Sequence, residues 1–267
     1  MANITASQVN ELRQKTGVGM MDCKKALVAC DGNMEAAIEH LRKIGMAKAE
    51  KKAGRSANQG IFVSLVKGNV GTLIELLCET DFVAKTDSFK AFGASVAEKV
   101  INEFDDNGDI SEKLAAAMQD ELKELIAKIG ENMHLRRAVR WVSNGKVGSY
   151  LHTGVAYGVL VDVEGECDDE LLSNICMHVT AFSPRYITPA DVPADVIAKE
   201  REIAAAQLAG KPANMIENIV KGKINKWYTE VCLVKQPWIN DQKTSLEKVA
   251  PKVSVKRMVR WQVGEEI

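Results

Sequence analysis

The residues best suited to chemistry are a carboxylate and an aromatic ring side by side, in the segment Thr80-Asp81-Phe82-Val83. An apolar run ends at Glu79 just before them, which predicts a loop at the end of a strand. Pattern alone favours burial of Phe82 in the protein's own core, since strand-end aromatics are usually buried, with Asp81 capping a turn. The alternative is an exposed Phe82, a wedge worth about 1.5–3 kcal/mol when buried in a partner. The carboxylate beside it would then compete for polar groups around a bound metal or phosphate.

A second candidate is the pair Met20-Met21, which follows a glycine-bracketed turn at 17–19. At least one methionine is expected to pack into a small helical core. The other would give a soft, adaptable contact to a partner helix. Four nearby lysines are expected to be solvated charges with a supporting electrostatic role at most; they are Lys24, Lys25, Lys51 and Lys52.

Enzymatic interpretations find little support. The sequence lacks a G-x-x-x-x-G-K-[ST] phosphate loop, and the glycines at 17–19 follow a predicted helix, whereas a dinucleotide fingerprint follows a strand. No histidines have metal-ligand spacing, and nothing nominates a cysteine–histidine nucleophile pair; the histidines are His40, His134, His152 and His178. The sequence therefore predicts a protein without catalytic residues, metal or cofactor.

Composition limits the partners. The 35 basic and 36 acidic residues give a formal charge of -1, which argues against a general nucleic-acid binder. No apolar run approaches the ~20 residues that a membrane span needs, and the N-terminus lacks the features of a secretory signal. The six cysteines are scattered without a C-x-x-C pair. These features predict a cytoplasmic protein without disulfides.

The element that contains Met20-Met21 and precedes the segment at 80–83 is a three-helix unit at 4–45. Thr5 and Gln8 form a capping box at its start, and Asn33 caps the third helix. Residues 46–58 are predicted to extend that helix and then pass into a linker. So small a core needs a neighbour or a partner for stability.

Strands and helices then alternate. Two apolar runs joined by a turn at 67–69 predict a hairpin, Asp87 is expected to cap the next helix, and a long helix is predicted over 111–129, ending at Gly130.

A second round is predicted from Leu135 onward. Alternating residues up to Trp141 and the pair Asn144-Gly145 predict a type I′ hairpin with a strand at 155–163, and a helix follows from Asp169. The same order of elements occurs twice, with 71–75 corresponding loosely to 158–162, so a duplicated subdomain is expected.

Helical patterns at about 193–208 and 213–228, joined by 210–212, interrupt the second copy as an antiparallel helical hairpin whose apolar stripe needs a covering surface. Strands at 231–234 and 253–263 complete the copy. The predicted fold is α+β: a three-helix, ubiquitin-associated-like module, then a duplicated core of antiparallel sheets and helices interrupted by the hairpin. The predicted divisions are 1–55, 56–140, 141–187 with 229–267, and 188–228.

Several segments together resemble the bacterial elongation factor Ts family, in the family's order and over nearly the whole chain. They are Leu12-Arg13 through Thr16-Gly17, 19–27, 80–84, Lys128-Ile129-Gly130-Glu131-Asn132, Tyr150-Leu151-His152, Met177-His178-Val179 and Gln236-Pro237. The resemblance implies a guanine-nucleotide exchange factor for elongation factor Tu, GDP-bound or nucleotide-free, with no catalytic chemistry of its own. It implies that Thr80, Asp81, Phe82 and Val83 enter the partner near its magnesium site.

The resemblance also implies partner contacts elsewhere, through Arg13, Met20, Met21, Lys52, Ile129 and His152. It implies no direct contact with nucleic acid or membrane, and a homodimer or 2:2 complex formed through 188–228. Many relatives continue into a further C-terminal helical segment, so the contacts of that segment are expected to be missing. The alternative that the residues leave open is an adaptor that binds a peptide or a ubiquitin-like protein. In that case residues 1–50 would bind alone and Phe82 would be irrelevant.

Overall fold

A computed structural model describes residues 4–152, 157–208 and 213–267. The chain forms two compact units. Unit 1 comprises Met1–Val63, Thr72–Arg140 and Gln262–Ile267, and unit 2 comprises Ser64–Gly71 and Trp141–Trp261. Helices and antiparallel sheets make up the fold, so the predicted α+β class is confirmed. The division into four parts stays a prediction. No helix in the described ranges has the length and apolar character of a membrane span.

The α-helices are α1 (Ala6–Thr16), α2 (Met20–Ala29), α3 (Met34–Lys52), α4 (Asp81–Ala84), α5 (Asp87–Glu103), α6 (Ser111–Ala117), α7 (Gln119–Ile129), α8 (Asp169–Phe182), α9 (Ala194–Ala206), α10 (Ala213–Val231) and α11 (Leu246–Val249). The strands are β1 (Gln59–Lys67), β2 (Val70–Cys78), β3 (Gly108–Asp109), β4 (Met133–Val142), β5 (Lys146–His152), β6 (Tyr157–Gly165), β7 (Pro237–Trp238), β8 (Asp241–Ser245) and β9 (Val253–Gln262). A short 3-10 helix lies at Pro189–Asp191.

The three N-terminal helices begin and end where their capping residues predict. The Thr5 hydroxyl accepts the Gln8 N–H at 3.3 Å, and Gln8 Oε1 accepts the Thr5 N–H at 2.9 Å, so the capping box is confirmed. Gly17 ends α1 in the left-handed region, at φ 68°, which suits glycine. Asn33 caps α3, which runs on to Lys52 as expected. The first helix therefore turns into α2 at a fixed point, directly before the two methionines.

The expectation that one of these methionines packs into the module core is wrong. Met20 and Met21 are 51% and 64% exposed. The small core is closed one turn further along α2, by Cys23, Ala26 and Leu27. The first turn of α2 therefore projects past the core, and both thioethers remain available at the surface.

Unit 1 contains a sheet with the order β1-β2-β4-β3. Two helix boundaries beside it differ from expectation. Thr86, not Asp87, caps α5, because its hydroxyl accepts the Phe89 N–H at 3.4 Å while Asp87 is already helical. The long helix predicted over 111–129 is interrupted at Met118, where ψ is 10° instead of a helical value near -42°. The predicted glycine stop at Gly130 is confirmed.

Unit 2 contains a sheet with the order β5-β6-β9. The predicted hairpin turn at Asn144-Gly145 is wrong, because β4 and β5 lie in different sheets and neither residue has the positive φ that a type I′ turn requires. Gly145 is needed for a different reason. A Cβ there would lie 2.2 Å from the Val163 carbonyl oxygen, so its missing side chain allows the chain to pass close to β6.

The paired hairpin of unit 2 is β5–β6, in antiparallel register from Lys146–Val163 to His152–Tyr157. In the two larger sheets a later strand joins the second strand of a hairpin: β4 joins β2, and β9 joins β6. The two corresponding segments, 71–75 and 158–162, therefore lie in equivalent middle strands, in agreement with the expected duplication.

The insertion in unit 2 is helical, as expected, and α9 packs against α10. The predicted joint at 210–212 lies outside the described residues. The predicted strand at 231–234 is wrong, because helical hydrogen bonding continues through Val231 and only a single bridge joins Cys232 to Tyr186. Along the apolar stripe, Leu208 and Ile224 are buried, whereas Ile203 and Met215 are 46% and 52% exposed.

A buried histidine in α8 joins two segments of unit 2. His178 is fully buried and stacks on Phe182 and Trp238. The Gln236 amide nitrogen donates to two carbonyl oxygens, so its Oε1 is free to accept, and the His178 Nε2–H donates to it at 3.0 Å. His178 Nδ1 then has no hydrogen-bond partner among the residues that the structure describes. Burial lowers the pKa of His178, since protonation would place an unpaired charge in the core.

This histidine makes the stability of unit 2 sensitive to acid. The folded state holds the pKa of His178 below its unfolded value of about 6.5. The contribution of this buried neutral histidine to stability is therefore complete above pH ~6.5 and is lost as pH falls. We expect the free energy of unfolding to fall with pH by up to ~1.4 kcal/mol per pH unit. Urea unfolding followed by tryptophan fluorescence at pH 7.5 and 5.5 measures this, and His178→Phe should flatten the pH dependence. An unchanged slope in His178→Phe would contradict the assignment.

Candidate functional site

The segment Thr80-Asp81-Phe82-Val83 lies between β2 and α5, at the start of the four-residue helix α4. Thr80 is the N-cap, and its hydroxyl accepts the Val83 N–H at 3.3 Å. Phe82 is 79% exposed, so the burial that pattern alone favours is wrong. The Thr80 cap orients α4 so that Ala84 is its buried residue. A large aromatic side chain therefore stands in solvent on a short capped turn.

The carboxylate beside this ring is ionised at neutral pH. Lys85 Nζ donates to Asp81 Oδ2 at 2.6 Å, and this hydrogen bond holds the pKa of Asp81 below its usual value. Both side chains are largely exposed, at 52% for Asp81 and 72% for Lys85. Exposed pairs of this kind contribute little to stability, so Asp81 can exchange Lys85 for another partner at small cost.

Two residues that the sequence analysis named only within a family-like segment, without a role of their own, hold the base of this segment. Glu131 accepts the Thr80 N–H at 3.0 Å through one oxygen and the Thr80 O–H at 2.6 Å through the other. The Asn132 N–H donates to Glu79 Oε1 at 2.7 Å, and the Asn132 amide donates to the Arg55 carbonyl at 2.7 Å. The available signal was the position of Glu131 and Asn132 directly after the glycine that ends α7.

The same turn holds Lys52 and Ile129. Gly130 ends α7 in the left-handed region, at φ 94°, with the half-buried Ile129 just before it. Lys52 Nζ donates to the Gly130 carbonyl at 2.5 Å, so the expectation that Lys52 is merely solvated is wrong; Lys24, Lys25 and Lys51 are exposed. Carbonyls at a helix C-terminus attract cations. The turn at 130–132 thus connects Lys52 with Thr80 and, through it, with Phe82.

The remaining predicted residues are separate from this set. Arg13 is exposed on α1, and Met20 and Met21 are exposed at the start of α2, all in unit 1. His152 belongs to unit 2, where it is the exposed last residue of β5 with Nδ1 3.1 Å from the Tyr150 hydroxyl. The turn at 130–131 therefore connects Thr80, bound by Glu131, with Lys52, bound by Gly130, and Ile129 lies next to it in the chain. Arg13, Met20, Met21 and His152 are exposed surface positions.

A thiol lies beside the segment without being reactive. The Cys78 thiol donates to the Thr80 carbonyl at 3.1 Å, and all six cysteines are free. Burial and the nearby Glu131 carboxylate raise the pKa of Cys78 to about 11. Because a neutral thiol is a poor nucleophile, this part of the site offers shape and hydrogen bonds, and the group it presents outward is the Asp81-Phe82 pair.

Comparison with known proteins identifies the chain's relatives. Residues 79–265 match the family model described as Elongation factor TS. The chain is 45% identical to an elongation factor Ts of Pasteurella multocida, over all of this chain and 94% of that protein. It is 42% identical to one of Trichlorobacter lovleyi, over 98% and 93%. It is 44% identical to one of Photorhabdus laumondii, over 100% and 94%. With a matching family model over most of its length and this identity from end to end, the chain belongs to the elongation factor Ts family.

Proposed function

We propose that the protein is a guanine-nucleotide exchange factor that promotes GDP release from elongation factor Tu during translation elongation. The observation that carries this proposal is membership of the elongation factor Ts family along the whole chain. A partner-directed role agrees with the character of the site, where an aromatic ring and a carboxylate face solvent on a braced turn.

The finer proposal is that Asp81 and Phe82 enter the partner near its Mg²⁺. Magnesium demands near-octahedral geometry and bridges nucleotide phosphates to the protein. A ring that inserts next to it and shifts its surroundings by about an ångström weakens nucleotide binding without contact to the base. The exposure of Phe82 supports this role, because no core contact has to break before the ring can move into a partner. Asp81 then exchanges its ion pair with Lys85 for hydrogen bonds with polar groups of the partner.

Linkage limits what one residue can do. The factor weakens nucleotide binding by the same ratio as nucleotide weakens binding of the factor. Burial of one phenylalanine supplies about 1.5–3 kcal/mol, whereas a shift of a two-state equilibrium from 1:99 to 99:1 needs ~5.5 kcal/mol. Phe82 must therefore be the tip of a broader interface. We place Thr80, Val83, Arg13, Met20, Met21, Lys52, Ile129 and His152 in that interface.

The helices α9 and α10 fit a second contact. Ile203 and Met215 are exposed on an otherwise partly buried helix pair, and apolar side chains of this kind favour helix–helix association. We propose that the segment 188–228 mediates a homodimer or a 2:2 complex with elongation factor Tu.

The test is release of labelled GDP from bacterial elongation factor Tu with excess unlabelled nucleotide. We expect the wild-type protein at catalytic concentration to accelerate release by orders of magnitude over the spontaneous rate. Bovine serum albumin at the same concentration controls for non-specific effects. Release that stays at the spontaneous rate with the folded wild-type protein would overturn the proposed function.

A further inference from the structure

The contacts around Thr80 point to a residue that controls the exposed pair without being part of it. We propose that Glu131 is a positioning residue for nucleotide exchange, which holds the Asp81-Phe82 pair in its projecting conformation through Thr80. This inference rests on the function proposed above. It concerns how the turn that carries Phe82 is kept in one conformation.

The turn needs such support because α4 is too short to be stable alone. Four residues cannot form a helix independently, since nucleation fixes several dihedral angles for the first hydrogen bond. The two projecting side chains supply little stability themselves: Phe82 is 79% exposed, and Asp81 pairs only with an exposed lysine among the described contacts. The inward anchor on the helix is the small side chain of Ala84. The conformation therefore depends strongly on its N-cap.

Glu131 fixes both the position of Thr80 and the direction in which the Thr80 hydroxyl donates. One carboxylate oxygen accepts the Thr80 N–H at 3.0 Å, and the other accepts the Thr80 O–H at 2.6 Å. Because the only hydroxyl proton points to Glu131, the hydroxyl oxygen presents a lone pair to the Val83 N–H, at 3.3 Å. A hydroxyl that donates to a carboxylate becomes a better acceptor. The bidentate contact thus strengthens the cap of the helix that carries Phe82.

Glu131 is itself held in place by the elements around it. It follows Gly130, whose carbonyl accepts a hydrogen bond from Lys52. It precedes Asn132, which donates hydrogen bonds to the Glu79 carboxylate and to the Arg55 carbonyl. Glu131 therefore connects α7 and the end of α3 with the exposed turn. A projecting group held in its bound conformation loses less entropy when it enters a partner, so the effect of Glu131 should appear in the exchange rate.

The first experiment compares Glu131→Gln with the control Glu124→Gln, which removes an exposed acid of α7 that pairs with Arg42. In glutamine one of the two accepting oxygens is replaced by an NH2 donor, so one of the two Thr80 hydrogen bonds loses its acceptor. We expect the maximal rate of stimulated GDP release to fall about tenfold in Glu131→Gln, with little change in the half-saturating concentration. The control should release GDP at the wild-type rate. Glu131→Asp, which keeps the charge but is shorter, should be intermediate, and it remains usable if the glutamine variant folds poorly.

Two readouts separate positioning from a general loss of stability. In a Phe82→Ala background, Glu131→Gln should lower the rate much less than in the wild-type background, because most of its effect acts through the ring. Hydrogen exchange of the Val83 amide should accelerate in Glu131→Gln, while the Phe89 amide, capped by Thr86 without a carboxylate, should not change. Full additivity in the double variant, or wild-type release by Glu131→Gln, would overturn the positioning role alone. An inactive wild-type protein would overturn the proposed function and this inference with it.

Discussion

Replacing Phe82 with alanine is expected to lower stimulated GDP release from elongation factor Tu by about 10- to 100-fold, the loss expected for one buried phenylalanine at about 1.5–3 kcal/mol. The stability of the factor itself should not change, because the ring is 79% exposed and surface changes usually stay within ±0.5 kcal/mol. Labelled-GDP release measures the first quantity, and thermal unfolding measures the second. The combination distinguishes an intruding side chain from a core residue.

A matched control for this substitution is Val28→Ala, which truncates another exposed apolar side chain of unit 1, 52% exposed on α2. It should release GDP at the wild-type rate. Phe82→Leu, which keeps much of the apolar volume, should lie between wild type and alanine. If Phe82→Ala released GDP as fast as wild type, insertion of the ring would be refuted while the exchange function could stand.

The helices of this fold were largely predictable from local chemistry. A capping residue makes its hydrogen bonds within three or four residues of the helix end that it defines. Local patterns therefore identify both ends of α1, at Thr5 and Gly17, and the start of α3, at Asn33. The errors arise where a distant contact decides. Asn144-Gly145 has the composition of a tight turn, yet the chain there continues into another sheet, and Gly145 is required because it passes close to the Val163 carbonyl. A local pattern contains no information on which strand becomes the neighbour.

Residues for the candidate site could be named from the sequence, but the contacts that support them could not. Pattern alone favoured burial of Phe82 and was wrong, because the exposure of the ring depends on how Thr80 caps α4. The carboxylate that fixes this cap, Glu131, is 51 residues further along the chain. Only the fold brings these two residues together, so no local reading of residues 79–84 could have found the contact.

The sheets of β2 and of β6 each contain a buried acid whose burial the sequence did not predict, at equivalent places in these two strands. Glu75 in β2 is fully buried and accepts hydrogen bonds from Arg136 at 2.7 and 3.0 Å, from Arg137 at 2.9 Å and from the Gly264 N–H at 3.1 Å. Asp162 in β6 binds one arginine, Arg257, at 2.7 and 2.9 Å. The corresponding segments 71–75 and 158–162 thus both end on a buried acid that binds arginine.

Replacing Glu75 with glutamine is therefore expected to be among the most destabilising single changes in unit 1. The amide cannot neutralise the two guanidinium groups that converge on this position, and removing one member of a buried ion pair costs about 3–5 kcal/mol. Asp162→Asn should cost less, because a single arginine loses its partner and that guanidinium keeps its contact with the Trp141 ring, 4.8 Å away. Urea unfolding followed by far-ultraviolet circular dichroism measures both free energies.

The matched control is Glu166→Gln, whose carboxylate is 74% exposed and binds Lys252, so the free energy of unfolding should change by less than ~0.5 kcal/mol. The tryptophans all lie in unit 2, at Trp141, Trp227, Trp238 and Trp261. Fluorescence therefore follows the Asp162 variant directly, while circular dichroism follows both units. A Glu75→Gln protein as stable as this control would mean that Arg136 and Arg137 find equivalent partners without the carboxylate.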